Sequence, residues 1–178
     1  EDGDRLSAGE LFAQTMLILV AGNETTTNLI GTGMVALLQN PEQMERLRAE
    51  PELIPSAVNE FLRYDSPVQL TSRMVPEDLD FKGHRVEKGD QLVLLLGAAN
   101  RDPEVFTDPE SLDVAREEER ALSFSHGVHY CLGAQLARLE GELAFRALLD
   151  TFSEIELATD KITWGDNTIL RGPKTLPL

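Results

Sequence analysis

The sequence predicts a mainly α protein with small β-sheets, and three observations predict it. A helical apolar pattern runs unbroken from about Ala8 to about Gln39. Two further helical patterns follow, one from Ile54 to Tyr64 and one after Cys131 to about Thr151. Between them lie only short alternating segments, punctuated by Lys82-Gly83 and Lys88-Gly89, which read as brief strands joined by turns.

Ser7-x-x-Glu10 forms a capping box that opens the first helix. At 1.5 Å per residue that helix would be roughly 45–50 Å long. Apolar residues occur almost all round it from Leu11 to Leu38, which predicts a central, buried helix. In its middle, Ala21-Gly22-Asn23-Glu24-Thr25-Thr26-Thr27 carries poor helix formers, so a functional bulge is expected there. Asn40-Pro41 caps a short helix to about Ala49, which Pro51 ends. Val68 to about Arg85 reads as two or three short strands. Gln91 to Asn100 is an apolar run that fits a buried strand or a short helix equally. Asp102 to Tyr130 is a long irregular stretch with two prolines and the charge run Arg116–Arg120. Long ordered loops of this kind are usually functional. The helix after Cys131 places Leu132, Leu136, Leu139, Leu143 and Leu148 near one face, and short strands are expected around Ile155, Ile162 and Ile169.

The 178 residues suit one domain with a sizeable core. A formal net charge of −15 argues against nucleic-acid binding and against an anionic membrane surface. The longest apolar stretch, Met16 to Gly22, is too short to span a bilayer, and no signal peptide is evident. The single cysteine fits a reducing compartment, so a cytoplasmic protein is expected.

Cys131 is the only cysteine, so it forms no intrachain disulfide and builds no multi-cysteine zinc site. Free cysteines are most often buried structural residues. This one stands at a glycine-punctuated entry to a helix, where the helix N-terminus favours an anion. Such a thiolate suits a metal already held by other ligands. Its setting, Phe124-x-x-Gly127-x-His129-x-Cys131-x-Gly133, resembles the haem-thiolate signature of the cytochrome P450 monooxygenases at all five fixed positions.

The resemblance implies the C-terminal portion of the cytochrome P450 fold: a long central helix, a Glu-x-x-Arg helix, a haem-thiolate loop and the helix after it. It implies haem b with Cys131 as axial thiolate, a ligand that pushes electron density onto the iron. Phe124 would shield the sulfur from water, Gly127 would allow the turn, and Gly133 would let the helix approach the macrocycle. His129 and Arg73 would serve the haem propionates. Ala21-Gly22-Asn23-Glu24-Thr25 is similar to the family's oxygen-activating turn. There Thr25 would hydrogen-bond O₂ and Glu24 would relay protons. Without the cysteine motif, threonines bonded back to the preceding turn would be the simpler reading.

Glu60-x-x-Arg63 matches the family's Glu-x-x-Arg, implying a buried ion pair tied to the loop before the cysteine. One departure stands in Asp108-Pro109-Glu110-Ser111-Leu112-Asp113, where the family usually has an Arg or His at the position of Ser111. Either another residue such as Arg101 or Arg116 compensates, or the core is weaker there.

The resemblance further implies insertion of one oxygen atom into an apolar small molecule. Electrons would come from a ferredoxin or flavodoxin with its reductase, docked on the cysteine side near Arg138 and Arg146. The family's chain is more than twice as long. Residues 1–178 are therefore expected to be its haem-ligating C-terminal portion, with the N-terminal half absent here and able to form a separate chain. A non-catalytic haem-binding or interaction fragment is the alternative. A Cys131–His129 hydrolase fits less well, because residues i and i+2 do not converge and no orienting third group is evident.

Overall fold

The computed structural model describes residues 5–118 and 120–178; the first four residues and Glu119 of the charge run lie outside that range. Helix α1 spans Ala8–Gln39. The Ser7 hydroxyl accepts the Glu10 amide at 3.3 Å, and a Glu10 carboxylate oxygen accepts the Ser7 amide at 2.8 Å. These reciprocal bonds satisfy two donors, one of them an orphan amide of the first turn. Helix α2 (Pro41–Ala49) begins with a proline, whose missing N–H costs nothing at that position. Helix α3 (Ile54–Tyr64) follows a single 3₁₀ turn, Pro51–Leu53.

The i, i+3, i+4 spacing of Ile54, Val58 and Phe61 with Ala57 and Leu62 builds the buried face of α3. That face packs on α1 and on helix α5 (Ala134–Thr151). Leu29, Met34 and Leu37 of α1, Leu47 of α2 and Phe145 and Leu149 of α5 complete one core with Val114 from the long loop. The rings of Phe61 and Phe145 meet with centroids 4.7 Å apart, tilted by 47°. They fit because Gly33 has no side chain: a Cβ there would lie 2.6 Å from the Phe145 ring.

Strand β1 (Thr71–Met74) pairs antiparallel with β4 (Gln91–Leu94), with Thr71 opposite Leu94. Strands β2 (Leu79–Phe81) and β3 (His84–Val86) form a hairpin. Its turn residues Lys82 and Gly83 both have positive φ, 52° and 84°, the backbone that matches the strands' own twist. Gln91–Asn100 forms β4 first, then the short helix α4 (Leu96–Ala99); the strand is not the buried one expected, since Val93 and Leu94 are exposed. Strands β5 (Thr163–Trp164) and β6 (Pro173–Thr175) pair near the end.

The bulge expected in α1, the strands expected around Ile155 and Ile169, and the leucine face expected on the last helix are corrected here. The C-terminal third of α1 is buried, but Phe12, Leu17, Ile18, Leu19 and Val20 are exposed, Phe12 by 69%. The described elements that pack on α1 cover its C-terminal end and leave an uncovered apolar flank, as the resemblance to a chain more than twice as long implies. No bulge interrupts α1. The hydroxyls of Thr25, Thr27 and Thr32 donate to carbonyls four residues back, at 2.7, 3.0 and 2.9 Å, so the threonines follow the helix. Strands form next to Ile162 but not at Ile155 or Ile169; Leu170 makes only an isolated bridge to Val68.

The five leucines expected on one face do not set the packing face of α5: Leu132 precedes the helix, and of the other four only Leu148 packs partly against the core. Leu132, Leu136, Leu139 and Leu143 are exposed, whereas Ala134, Gly141, Phe145 and Leu149 are buried. Gly141 lets the helix approach, since a Cβ there would sit 3.1 Å from Val58 and 3.2 Å from Leu29. Close helix contact at a small residue outweighs the leucine count.

Candidate functional site

The loop before α5 closes on itself through the backbone. The Cys131 amide donates to the Phe124 carbonyl at 3.0 Å, and the Tyr130 amide to the Gly127 carbonyl at 3.0 Å. Within it, Ser125 and Gly127 both have positive φ, 61° and 66°, and Gly127–His129 makes one 3₁₀ turn. Positive φ is costly for serine, so the surrounding bonds must hold it there. The Ser125 amide donates to the Leu122 carbonyl at 2.8 Å, one of those bonds. Gly133 then caps α5, and the Ala134 amide donates to the Cys131 carbonyl at 3.3 Å.

This closure leaves Cys131 exposed. A Cβ on Gly133 would meet only the Cys131 sulfur, at 4.0 Å, so the helix entry is open beside the thiol. His129 is exposed, while Phe124 is half-buried against the core. Arg138 of α5 lies over the Phe124 ring, 4.6 Å from its centroid, and donates to the Asn59 side-chain oxygen at 2.9 Å. Arg73 reaches the same loop from β1: one guanidinium nitrogen is 3.4 Å from Ser125 Oγ and another donates to the Ser72 carbonyl at 2.8 Å.

The structure thus brings Arg73, Phe124, Gly127, His129, Cys131 and Gly133 to one loop and its neighbouring strand. It does not join them to the turn of α1. Among the described residues, no hydrogen bond links Glu24 or Thr25 to the cysteine loop. Ala21, Gly22 and Glu24 are exposed and Thr25 is half-buried, with its hydroxyl proton held by the Ala21 carbonyl at 2.7 Å. A Cβ at Gly22 would meet nothing within 4 Å.

No cluster of three or more His, Cys, Asp or Glu suited to a metal occurs among the described residues. A metal bound at Cys131 must therefore arrive with most of its ligands. One soft sulfur ligand beside open space, with Arg73 reaching the same loop for an anion, fits a metal inside a flat macrocycle with acidic substituents.

The Glu60–Arg63 pair is buried, both side chains 1% exposed, with contacts of 2.6 and 2.8 Å. Arg63 also donates to the carbonyls of Asn100, Pro109 and Ser111, at 2.9, 2.8 and 3.2 Å. The residue that compensates for Ser111 is Arg116: its Nε lies 3.1 Å from Glu60 Oε2, a charge contact without good hydrogen-bond alignment. Burial pulls the Arg116 guanidinium down, but Glu118 and Glu60 outweigh it and hold it above its ordinary value. Arg101 instead serves the Tyr64 carbonyl and Glu110. Replacing Arg116 by alanine is expected to cost about 1–3 kcal/mol in urea unfolding, as Glu60 loses its second cation. An unchanged midpoint would contradict this compensation.

Sequence reading passed over Asn100, fully buried between α4 and the cysteine loop. The only local signal is a polar residue ending an apolar run. Among the described residues no helix is long and apolar enough to cross a membrane.

The family model for "Cytochrome P450" matches residues 1–176. The chain is 49% identical to the polyketide biosynthesis cytochrome P450 PksS of Bacillus subtilis, over 100% of this chain and 45% of that protein. It is 47% identical to the vitamin D(3) 25-hydroxylase of Pseudonocardia autotrophica, again over 100% of this chain and 45% of the relative. The solved structure of PksS superposes with a TM-score of 0.94 over 99% of this chain and 46% of that one, at 49% identity. The structure of P450BioI in complex with an acyl carrier protein carrying hexadec-9Z-enoic acid also gives a TM-score of 0.94, at 45% identity over 98% of this chain and 45% of that one. The chain thus spans about 45% of the length of the curated relatives it matches.

Proposed function

The chain belongs to the cytochrome P450 family, and on that premise we propose that it is the haem-ligating C-terminal portion of a haem-thiolate monooxygenase. The observation that carries the reading is the exposed Cys131, presented by a closed, strained loop at the open entry of α5. Haem b, when bound, supplies activation of O₂ and insertion of one oxygen atom into an organic substrate.

The chain's own residues have separable tasks in this reading. Cys131 would hold the haem iron through its sulfur, and the Phe124 carbonyl fixes its backbone. Phe124 excludes water from the sulfur side, held in place by the Arg138 guanidinium. Gly127 permits the turn, and Gly133 keeps side-chain bulk away from the sulfur. Arg73 would pair with a haem propionate, and His129 would donate a hydrogen bond to one. Ala21 and Gly22 leave the face of α1 open. Thr25 holds a proton between the Ala21 carbonyl and the substrate side, and exposed Glu24 exchanges protons with water and passes them on. The exposed apolar flank of α1 receives the rest of the domain and the apolar substrate. A ferredoxin or flavodoxin with its reductase delivers electrons from the cysteine side, steered by Arg138 and Arg146.

The test supplies the haem-loaded, full-length protein with ferredoxin, its reductase and isotopically labelled O₂ across a panel of apolar fatty acids and steroids. One labelled oxygen atom in a product is expected, with less product per reductant consumed in Thr25→Ala than in Thr25→Ser. Full haem content without label in any product would favour the non-catalytic alternative.

A further inference from the structure

A closed knot of hydrogen bonds surrounds the side chain of Asn100, which is 0% exposed. Its Nδ2 donates to Ser66 Oγ and to Ser123 Oγ, each at 2.8 Å. Its Oδ1 accepts the Leu122 amide at 2.6 Å. Both serine hydroxyls spend their own protons on one acceptor, the Leu62 carbonyl, at 2.7 Å each. The two hydroxyl oxygens, 3.4 Å apart, therefore have no proton left for each other. The amide has only one workable orientation, because turning it over would set its NH₂ against the Leu122 N–H. Every polar atom of the side chain is matched, so the knot is rigid.

The knot ends at the entrance of the cysteine loop. Leu122 and Ser123 are held from Asn100, and the next residue, Phe124, accepts the Cys131 amide at 3.0 Å. The backbone carbonyl of Asn100 is itself held by Arg63 at 2.9 Å, so the buried ion cluster and the loop meet at this one residue. We propose that Asn100 is the positioning residue for Cys131: its side-chain amide fixes the loop entrance and thereby sets where the sulfur sits. The consequence for haem rests on the haem-thiolate reading; the consequence for the loop does not.

Two readouts on the full-length protein test this. In Asn100→Ala, amide exchange at Leu122 and Cys131 in the haem-free protein is expected to speed up by about tenfold or more, as a buried partner is lost. In the haem-loaded protein, part of the red-shifted Soret band of the reduced carbon monoxide complex is expected to move to shorter wavelength. Leu47→Ala, a core change in α2, serves as the comparison for general destabilisation: it should speed exchange at Leu122 and Cys131 no more than across the core helices and leave the Soret band in place. Should Asn100→Ala fail to fold, Ser123→Ala removes the loop's side-chain link to Asn100, and the same shifts are expected with smaller amplitude. Wild-type exchange at Leu122 and Cys131 in a folded variant overturns the proposal, as does Leu47→Ala reproducing both shifts. A wild-type protein without the red-shifted band overturns the haem-thiolate reading, and exchange then decides the positioning role by itself.

Discussion

Replacing Arg63 by leucine is expected to destabilise the protein by about 3–5 kcal/mol, the usual consequence of breaking a buried ion pair from one side. The size follows from what the guanidinium leaves behind. Glu60, 1% exposed, would keep only the poorly aligned Arg116 contact and the Asp113 amide at 3.0 Å. The carbonyls of Asn100, Pro109 and Ser111 would each lose the Arg63 donor. Domains have only about 5–15 kcal/mol in total, so the variant should be largely unfolded in mild urea. Lysine should not rescue it, because a single ammonium cannot serve a bidentate carboxylate and three separated carbonyls at once. Equilibrium unfolding followed by far-UV circular dichroism checks this, and a loss below about 1 kcal/mol would contradict the role given to the cluster.

Phe145→Ala is the second large effect, at about 3–5 kcal/mol for a large aromatic removed from a closed core. Phe145 is 0% exposed, packs against Phe61 with the rings tilted, and lies where a Cβ on Gly33 would strike its ring. Its removal opens a void where α1, α3 and α5 meet. Because α5 carries the cysteine loop on its N-terminal end, haem affinity should fall along with stability. Calorimetry reads the first and haem titration the second. A variant that keeps wild-type stability would show that α5 is held elsewhere.

The helices were legible because their signals are local. The capping box at Ser7 and Glu10, Pro41 at the first position of α2, and the apolar spacing of Ile54, Val58 and Phe61 each need only a few neighbouring residues. The cysteine loop was legible for the same reason, since its five signature residues fall within one short run. Packing faces were less legible. Four leucines on α5 and Leu132 before it suggested one face, but Gly141 and Phe145 define the buried one. The threonines of α1 suggested a bulge, yet back-bonding to the preceding turn satisfies them without one. Arg116 was one of two candidates for the missing base, and only the path of the loop past Glu60 separates it from Arg101. Asn100 could not be found from sequence, because its side-chain partners lie 22 to 34 residues away and only the fold brings them together.

In the proposed function Cys131 presents a thiolate to haem iron. The absorbance of the haem-loaded protein after reduction under carbon monoxide, for the wild type and for Cys131→Ala, reads this ligation directly. A strongly red-shifted Soret band is expected in the wild type and is expected to be lost in the variant. A wild type without that band, or a variant that retains it, would overturn thiolate ligation by Cys131.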